Sequence, residues 1–184
     1  GTSISGEEGI EIDTSLVNYS ISSNNTDSFL NPTEGVKKSI VMSVAGVGGD
    51  SKFFKTEAAF KEYIPFNYGD YILGLKTGLG FIRAIEDKIT SSNRFFLGGK
   101  SIRGFDGDGV GPRDTGNNQA IGGNNFYNFS FELKSDKFMP SDTGLEWLLF
   151  SDLGSIWGTD YESGVQGYDD KEPRISNGFG LSMR

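Results

Sequence analysis

Cysteine and histidine are absent from the 184-residue sequence, and proline occurs only five times. Without cysteine there is no disulfide framework and no thiolate metal site. Without histidine the commonest general base is gone, and with it Ser/His and Cys/His nucleophile pairs and His-ligated zinc. The expectation is a protein that is not an enzyme and carries no metal or cofactor. A net charge of −8 argues against nucleic acid as a partner, because nucleic-acid binders concentrate Lys and Arg. No apolar run approaches the length of a membrane helix, and no window resembles a signal peptide. Membrane β-strands escape that test, since they alternate lipid-facing and lumen-facing residues and read as only half hydrophobic.

What the sequence does hold is glycine and aromatic residues: 27 Gly, 15 Phe and 7 Tyr. That is too aromatic for a disordered chain and too glycine-rich for a helical one. Short alternating runs between Ser, Asn, Gly and Asp clusters indicate an all-β fold of about seven strands. Val17, Tyr19 and Ile21 alternate with polar residues, as do Ile40, Met42 and Val44. Ala58, Phe60 and Ile64 oppose Glu57, Lys61 and Tyr63. The clearest strand runs from Tyr71 to Ile82, with Leu73, Leu75, Leu79 and Phe81 on one face and Gly74, Lys76, Gly78 and Gly80 on the other. Glycines on an inward face fit a place where another backbone approaches closely. Tyr127, Phe129, Phe131 and Leu133 oppose Asn128, Ser130 and Glu132. Two more strands are expected over Leu145–Trp157 and Ile175–Met183.

The outward faces are lipid-like and the inward faces polar and often small. Short turns at one end and long loops at the other complete the signature of an antiparallel transmembrane β-barrel. A soluble β-sandwich and a lipocalin-like barrel are the alternatives this pattern leaves open. Tyr71, Trp147, Tyr127 and Trp157 are candidates for the aromatic girdles at the two membrane surfaces.

One stretch, residues 94–114, reads RFFLGGKSIRGFDGDGVGPRD and stands out as a long loop between strands. Exposed disorder would not carry Phe95, Phe96, Leu97, Ile102 and Phe105, so the loop is expected to pack against the rest of the chain. Arg103, flanked by apolar residues, then needs an anionic partner. Asp106-Gly107-Asp108-Gly109 is read as a turn, because it lacks the third acidic position and closing Glu of a calcium loop.

Gly98-Gly99, Ile102-Arg103-Gly104-Phe105 and Gly111-Pro112 together resemble the lumen-loop motif of the BamA/TamA superfamily of outer-membrane barrels. Gly122-Gly123-Asn124 leading into Phe131-Glu132-Leu133 is similar to that family's next strand. Ser151-Asp152-Leu153-Gly154-Ser155-Ile156-Trp157 is similar to the one after, and Ser28 to Gly35 to a turn before an earlier strand. The resemblance is to the BamA branch and covers essentially the whole chain.

The resemblance implies about seven strands of a sixteen-stranded barrel, with residues 94–114 folded into the lumen. On this reading residues 1–184 are a partial barrel domain that begins mid-barrel, lacks the periplasmic POTRA domains and stops about one strand short. In the family the loop arginine is held by acidic residues of the inner wall. Glu132 and Asp152, on inward faces of the two strands after the loop, are the matching positions. The implied function is assembly and insertion of other barrels in the bacterial outer membrane, by pairing with client strand edges at a lateral seam. The implied partners are unfolded outer-membrane clients, accessory assembly lipoproteins and the lipid bilayer. A TamA-like factor, a two-partner secretion pore, and a passive barrel or an outer-membrane enzyme, the last disfavoured by the lack of histidine, are the competing readings.

Overall fold

A computed structural model describes residues 13–46, 48–86, 88–140, 142–161 and 164–183. The acidic loop expected over residues 1–14, with Glu7, Glu8 and Glu11, lies outside these residues up to residue 12. The strands are β1 (Leu16–Asn24), β2 (Gly35–Ala45), β3 (Lys52–Phe66), β4 (Tyr71–Glu86), β5 (Arg113–Asp114), β6 (Asn125–Ser135), β7 (Leu145–Trp157), β8 (Val165–Gln166) and β9 (Arg174–Met183). Seven of them form one antiparallel meander in the order β1-β2-β3-β4-β6-β7-β9, and β5 pairs with β8 in a separate two-stranded sheet. The fold is all-β and antiparallel, as the alternation predicts. The sheet is open, with β1 and β9 as its edges.

Alternation fixes which side chains share a face. On the outer face, Ile40, Phe60, Leu79, Phe129, Leu149, Ile175 and Phe179 are all exposed in the described chain, as a lipid-facing surface requires. That face is less uniformly apolar than its pattern indicates. Lys38 and Glu62 also fall on it, three residues from the start of β2 and four from the end of β3. Close to strand ends the cost of a lipid-facing charge falls, and long side chains reach the interface.

Aromatic residues cluster at two levels. Phe66, Tyr71 and Trp147 associate beside the short β3–β4 turn, with ring centroids 5.3 Å and 6.3 Å apart. Tyr127, Phe129 and Trp157 associate at the opposite end, at 5.9 Å and 5.8 Å. Tyr127 is opposite Leu79, eight residues along β4 from Tyr71. At ~3.3 Å per residue this separates the clusters by about 26 Å along the strand, close to the height of an outer-membrane apolar band.

The inner face corrects the expectation of a polar, small-residue lining. At the long-loop end, Ala45, Phe53, Ile82 and Ile156 of the wall form one core with Ile89, Phe95, Leu97, Ile102 and Val110 of the β4–β6 connection. The hydrophobic core therefore lies inside the sheet's inner face, between wall and loop. The inward glycines serve side chains rather than a second backbone. A Cβ on Gly80 would stand 2.9 Å from Phe95 Cζ and closer still to Phe126. Phe150 likewise occupies the space over Gly178, and Leu148 that over Gly180.

At the short-turn end the connections are tied together. Lys137 pairs with Asp70 at 2.8 Å, Ser135 Oγ donates to the Asp70 carbonyl at 2.5 Å, and Lys134 Nζ donates to Asn31 Oδ1 at 2.7 Å. Within the β1–β2 loop, Asp27 accepts from the Thr33 hydroxyl and from the Thr33 and Glu34 amides. The Thr33 hydroxyl first, and then these amides, hold the Asp27 carboxyl well below the usual carboxylate range.

Two outcomes follow from this packing. Gly80→Val is expected to destabilise the folded barrel by about 1–3 kcal/mol, read as a lowered thermal unfolding midpoint, because the site is already filled. Because the folded-state pKa of Asp27 is depressed, its contribution is complete above about pH 4 and is lost as pH falls toward the folded value. Amide exchange at Thr33 and Glu34 is therefore expected to accelerate only on acidification below that point, and Asp27→Asn to show the fast exchange at neutral pH.

Candidate functional site

The connection from β4 to β6 runs over residues 87–124 and contains the whole 94–114 stretch. Its tip is closed by its own backbone. The Gly99 amide donates to the Phe105 carbonyl at 3.0 Å, Ser101 to Gly98 at 3.0 Å, Gly109 to Asp106 at 2.9 Å and Val110 to Leu97 at 3.1 Å. Asp106–Gly109 is thus a hydrogen-bonded turn. Gly98 has φ +143° with the Asp106 carbonyl where a Cβ would lie, and Gly104 has φ +85°. Both conformations favour glycine.

The loop returns along the inner wall and seats its apolar residues. Ile102 is fully buried and lies over Gly154, where a Cβ would come within 2.9 Å of its Cδ1. Gly111 abuts Ile156, and Pro112 is fully buried. Phe105 is partly buried against the core. Phe96 departs from the expectation that every apolar loop residue packs, being 41% exposed. The loop's end, Arg113–Asp114, adds a short strand pairing with Gln166 and Val165.

Arg103 enters between β6, β7 and β9. Its Nε donates to Asp152 Oδ2 at 2.7 Å and its Nη2 to Asp152 Oδ1 at 2.6 Å, a bidentate pair. Nη1 donates to Glu132 Oε1 at 2.6 Å, and Nη2 also to Ser130 Oγ at 2.9 Å. Four of the five guanidinium N–H donors are thereby used. The Arg103 amide itself donates to Asp152 Oδ2 at 3.0 Å, and Ser176 Oγ donates to the Arg103 carbonyl. The guanidinium carbon lies 3.8 Å from the centroid of the Phe150 ring. Lys76 Nζ takes the other Glu132 oxygen at 2.6 Å, so two cations face two carboxylates.

Asp152 is only 1% exposed, so its charge is matched almost wholly by protein groups. Charge-assisted, bidentate contacts are the strong class of hydrogen bond. Losing one partner of such a pair leaves the other buried and uncompensated, at a cost of about 3–5 kcal/mol. Among the described residues the cluster is not part of any group of three or more His, Cys, Asp or Glu side chains that could hold a metal ion. Its chemistry is mechanical: it fixes a loop backbone to the wall.

Ser130, Phe150, Ser176 and Lys76 are members of this cluster that were not singled out from sequence, although each lies at an inward position. A second buried cation was also missed. The Arg94 side chain is 1% exposed, donates to the Ile89 carbonyl at 2.6 Å and the Ile121 carbonyl at 3.3 Å, and lies 3.7 Å from Asp160. Asp160 also accepts from the Ile89 amide at 2.9 Å and from Asn124 Nδ2 at 3.3 Å. This second clasp joins the β4–β6 loop to the β7–β9 loop.

A family model described as the Omp85 superfamily domain matches residues 3–184. The outer membrane protein assembly factor BamA of Neorickettsia risticii is 31% identical over 168 residues, covering 91% of this chain and 22% of that protein. A SAM50-like protein of Schizosaccharomyces pombe is 28% identical over 188 residues, covering 95% of this chain and 38% of its own length. Among solved structures, BamA from Haemophilus ducreyi lacking POTRA domains 1–3 superposes with a TM-score of 0.81 at 24% identity, over 91% of this chain and 36% of that one. The chain thus spans between 22% and 38% of the length of these relatives.

Tryptic cleavage after Arg103 reports whether the loop is seated. With Asp152 present the bond is expected to resist. In Asp152→Ala the loss of about 3–5 kcal/mol is expected to raise the cleavage rate by roughly two to four orders of magnitude, measured as the appearance of the fragment ending at Arg103. An unchanged rate would mean that the carboxylate does not hold the loop.

Proposed function

The chain belongs to the Omp85 superfamily, and on that footing we propose that it is part of a BamA-like assembly factor that folds and inserts other β-barrels. Its place is the bacterial outer membrane, and its seven-stranded sheet is a portion of a barrel. Short turns then face the periplasm and the long loops face outward. The domain reading is a partial barrel over residues 1–184, with residues 94–114 as the lumen motif.

The observation that carries the reading is the Arg103 clasp. A barrel that must admit or pair with unfolded strands has to yield somewhere without collapsing, and a loop braced to three consecutive strands keeps one wall in shape. Asp152 and Ser176 engage the same loop residue from β7 and β9, while Glu132 and Ser130 engage it from β6. The work of assembly would fall on strand edges elsewhere in the barrel, through the β-augmentation that exposed edges offer. Clients would be unfolded outer-membrane proteins, with accessory lipoproteins and the bilayer as further partners. No step in this reading makes or breaks a covalent bond.

Assembly in lipid vesicles by the intact protein is the test. Asp152→Lys places two cations together, and the assembly rate of a barrel client is expected to fall by about tenfold or more. Adding Arg103→Glu restores opposite charges and is expected to recover part of the rate. Wild-type assembly by the single variant would sever the clasp from the function.

A further inference from the structure

The Arg103 cluster belongs to a longer row of side chains crossing the inner face. Register places Lys37 opposite Lys61, Lys61 opposite Lys76, Lys76 opposite Ser130, and Ser130 opposite Asp152. Three lysines therefore occupy neighbouring strands at one level, their backbones ~4.8 Å apart at each step. Like charges directly opposite one another destabilise a sheet. Only Lys76 is relieved, by Glu132. Lys37 and Lys61 have no ion-pair partner among the described residues, and neither has Lys100 on the adjoining loop. In a chain of net charge −8 this concentration of cations with no ion-pair partner among the described residues is a costly arrangement.

Space is available over the row. A cavity of about 350 Å³ is lined by Asn24, Phe29, Lys37, Ser39 and Lys61. A second, of about 480 Å³, is lined by Lys61, Lys76, Lys100 and Arg103, with Glu132 as its one carboxylate. Ala59 and Lys61 border both, so the two form one trough across the strands. Its mouth lies at the short-turn end, where Phe29 of the β1–β2 loop is 79% exposed and carries Lys37 Nζ 4.6 Å from its ring centroid.

We propose that this lysine trough binds an extended acidic segment of a client polypeptide in transit, an inference that rests on the assembly reading. The side chains argue for that occupant. A compact phosphate is best held by a free guanidinium or a nest of backbone amides. Here four of the five Arg103 donors are already taken, and the amides of β2, β3 and β4 are committed to their ladders. Lysines spread one per strand along an elongated trough match distributed carboxylates instead. The permanent contact in the same lumen is made by a bidentate arginine on a buried aspartate. Hydrated, flexible ammonium groups give the weaker, salt-screened attraction that a passing segment requires.

The intact protein in phosphatidylcholine vesicles is titrated with a fluorescent strand-length peptide carrying Asp at alternate positions, and with its Asn counterpart. The Asp peptide is expected to bind about tenfold more tightly at roughly 0.1 M salt, with the preference gone near 1 M. Lys37→Gln with Lys61→Gln is expected to abolish the preference, while Lys37→Arg with Lys61→Arg, which keeps both charges, retains it. Equal binding of the two peptides, or displacement of the Asp peptide by equimolar inorganic phosphate, would overturn the proposal. So would a Gln variant that loses thermal stability yet keeps the preference, since the lysines would then serve an acidic segment of the protein itself. Client assembly is scored separately: a protein that assembles clients but ignores peptide charge refutes the trough alone, and one that assembles none refutes the assembly reading.

Discussion

A guanidinium drawn into a partly dry lumen has to be matched in charge and in hydrogen bonds, and that requirement organises the inner face of this sheet. Arg103 meets it with Asp152, Glu132 and Ser130, and its backbone is gripped by Asp152 and Ser176 as well. Each partner stands on a strand whose register is set by its neighbours. A slip of one residue in β6 or β7 would turn the acids toward lipid and leave the cation unmatched. The clasp and the strand pairing therefore reinforce one another.

Ordering so long a connection costs conformational entropy at every residue. The cost is offset by the apolar loop residues Phe95, Leu97, Ile102 and Val110, which bury themselves against Ile82 and Ile156. Size complementarity makes room for them: Gly80 beneath Phe95 and Phe126, Gly154 beneath Ile102, and Gly178 beneath Phe150. The same wall thus has an apolar zone at the loop end and a charged zone toward the short turns. Arg103 sits at their boundary, where Phe150 covers one face of its guanidinium and the carboxylates ring its edge.

Much of this was legible in the sequence because a strand has a period of two. Seven alternating runs gave seven strands in one sheet, and parity alone put Glu132 and Asp152 on the inner face. Parity assigns a face but not a neighbour. It could not show that Ser130 and Ser176 reach the same residue, nor that Lys37, Lys61 and Lys76 line up, because the latter needs the register of two hairpins. The Arg94–Asp160 clasp joins two loops whose relative position no local periodicity encodes. Strand ends were also understated: β4 continues past Ile82 to Glu86, where Arg83 and Glu86 break the apolar pattern and the pairing with β3 shifts register between Lys52 and Phe53.

Arg103 and Asp152 act as one unit, and a double-mutant cycle measures that directly. Unfolding free energies would be compared for the intact protein, Arg103→Gln, Asp152→Asn and the double variant. A coupling of about 2 kcal/mol or more is expected, with the second substitution costing little once the first is made. Single-variant costs that add to within about 0.5 kcal/mol would contradict it, because the two groups would then be stabilised independently.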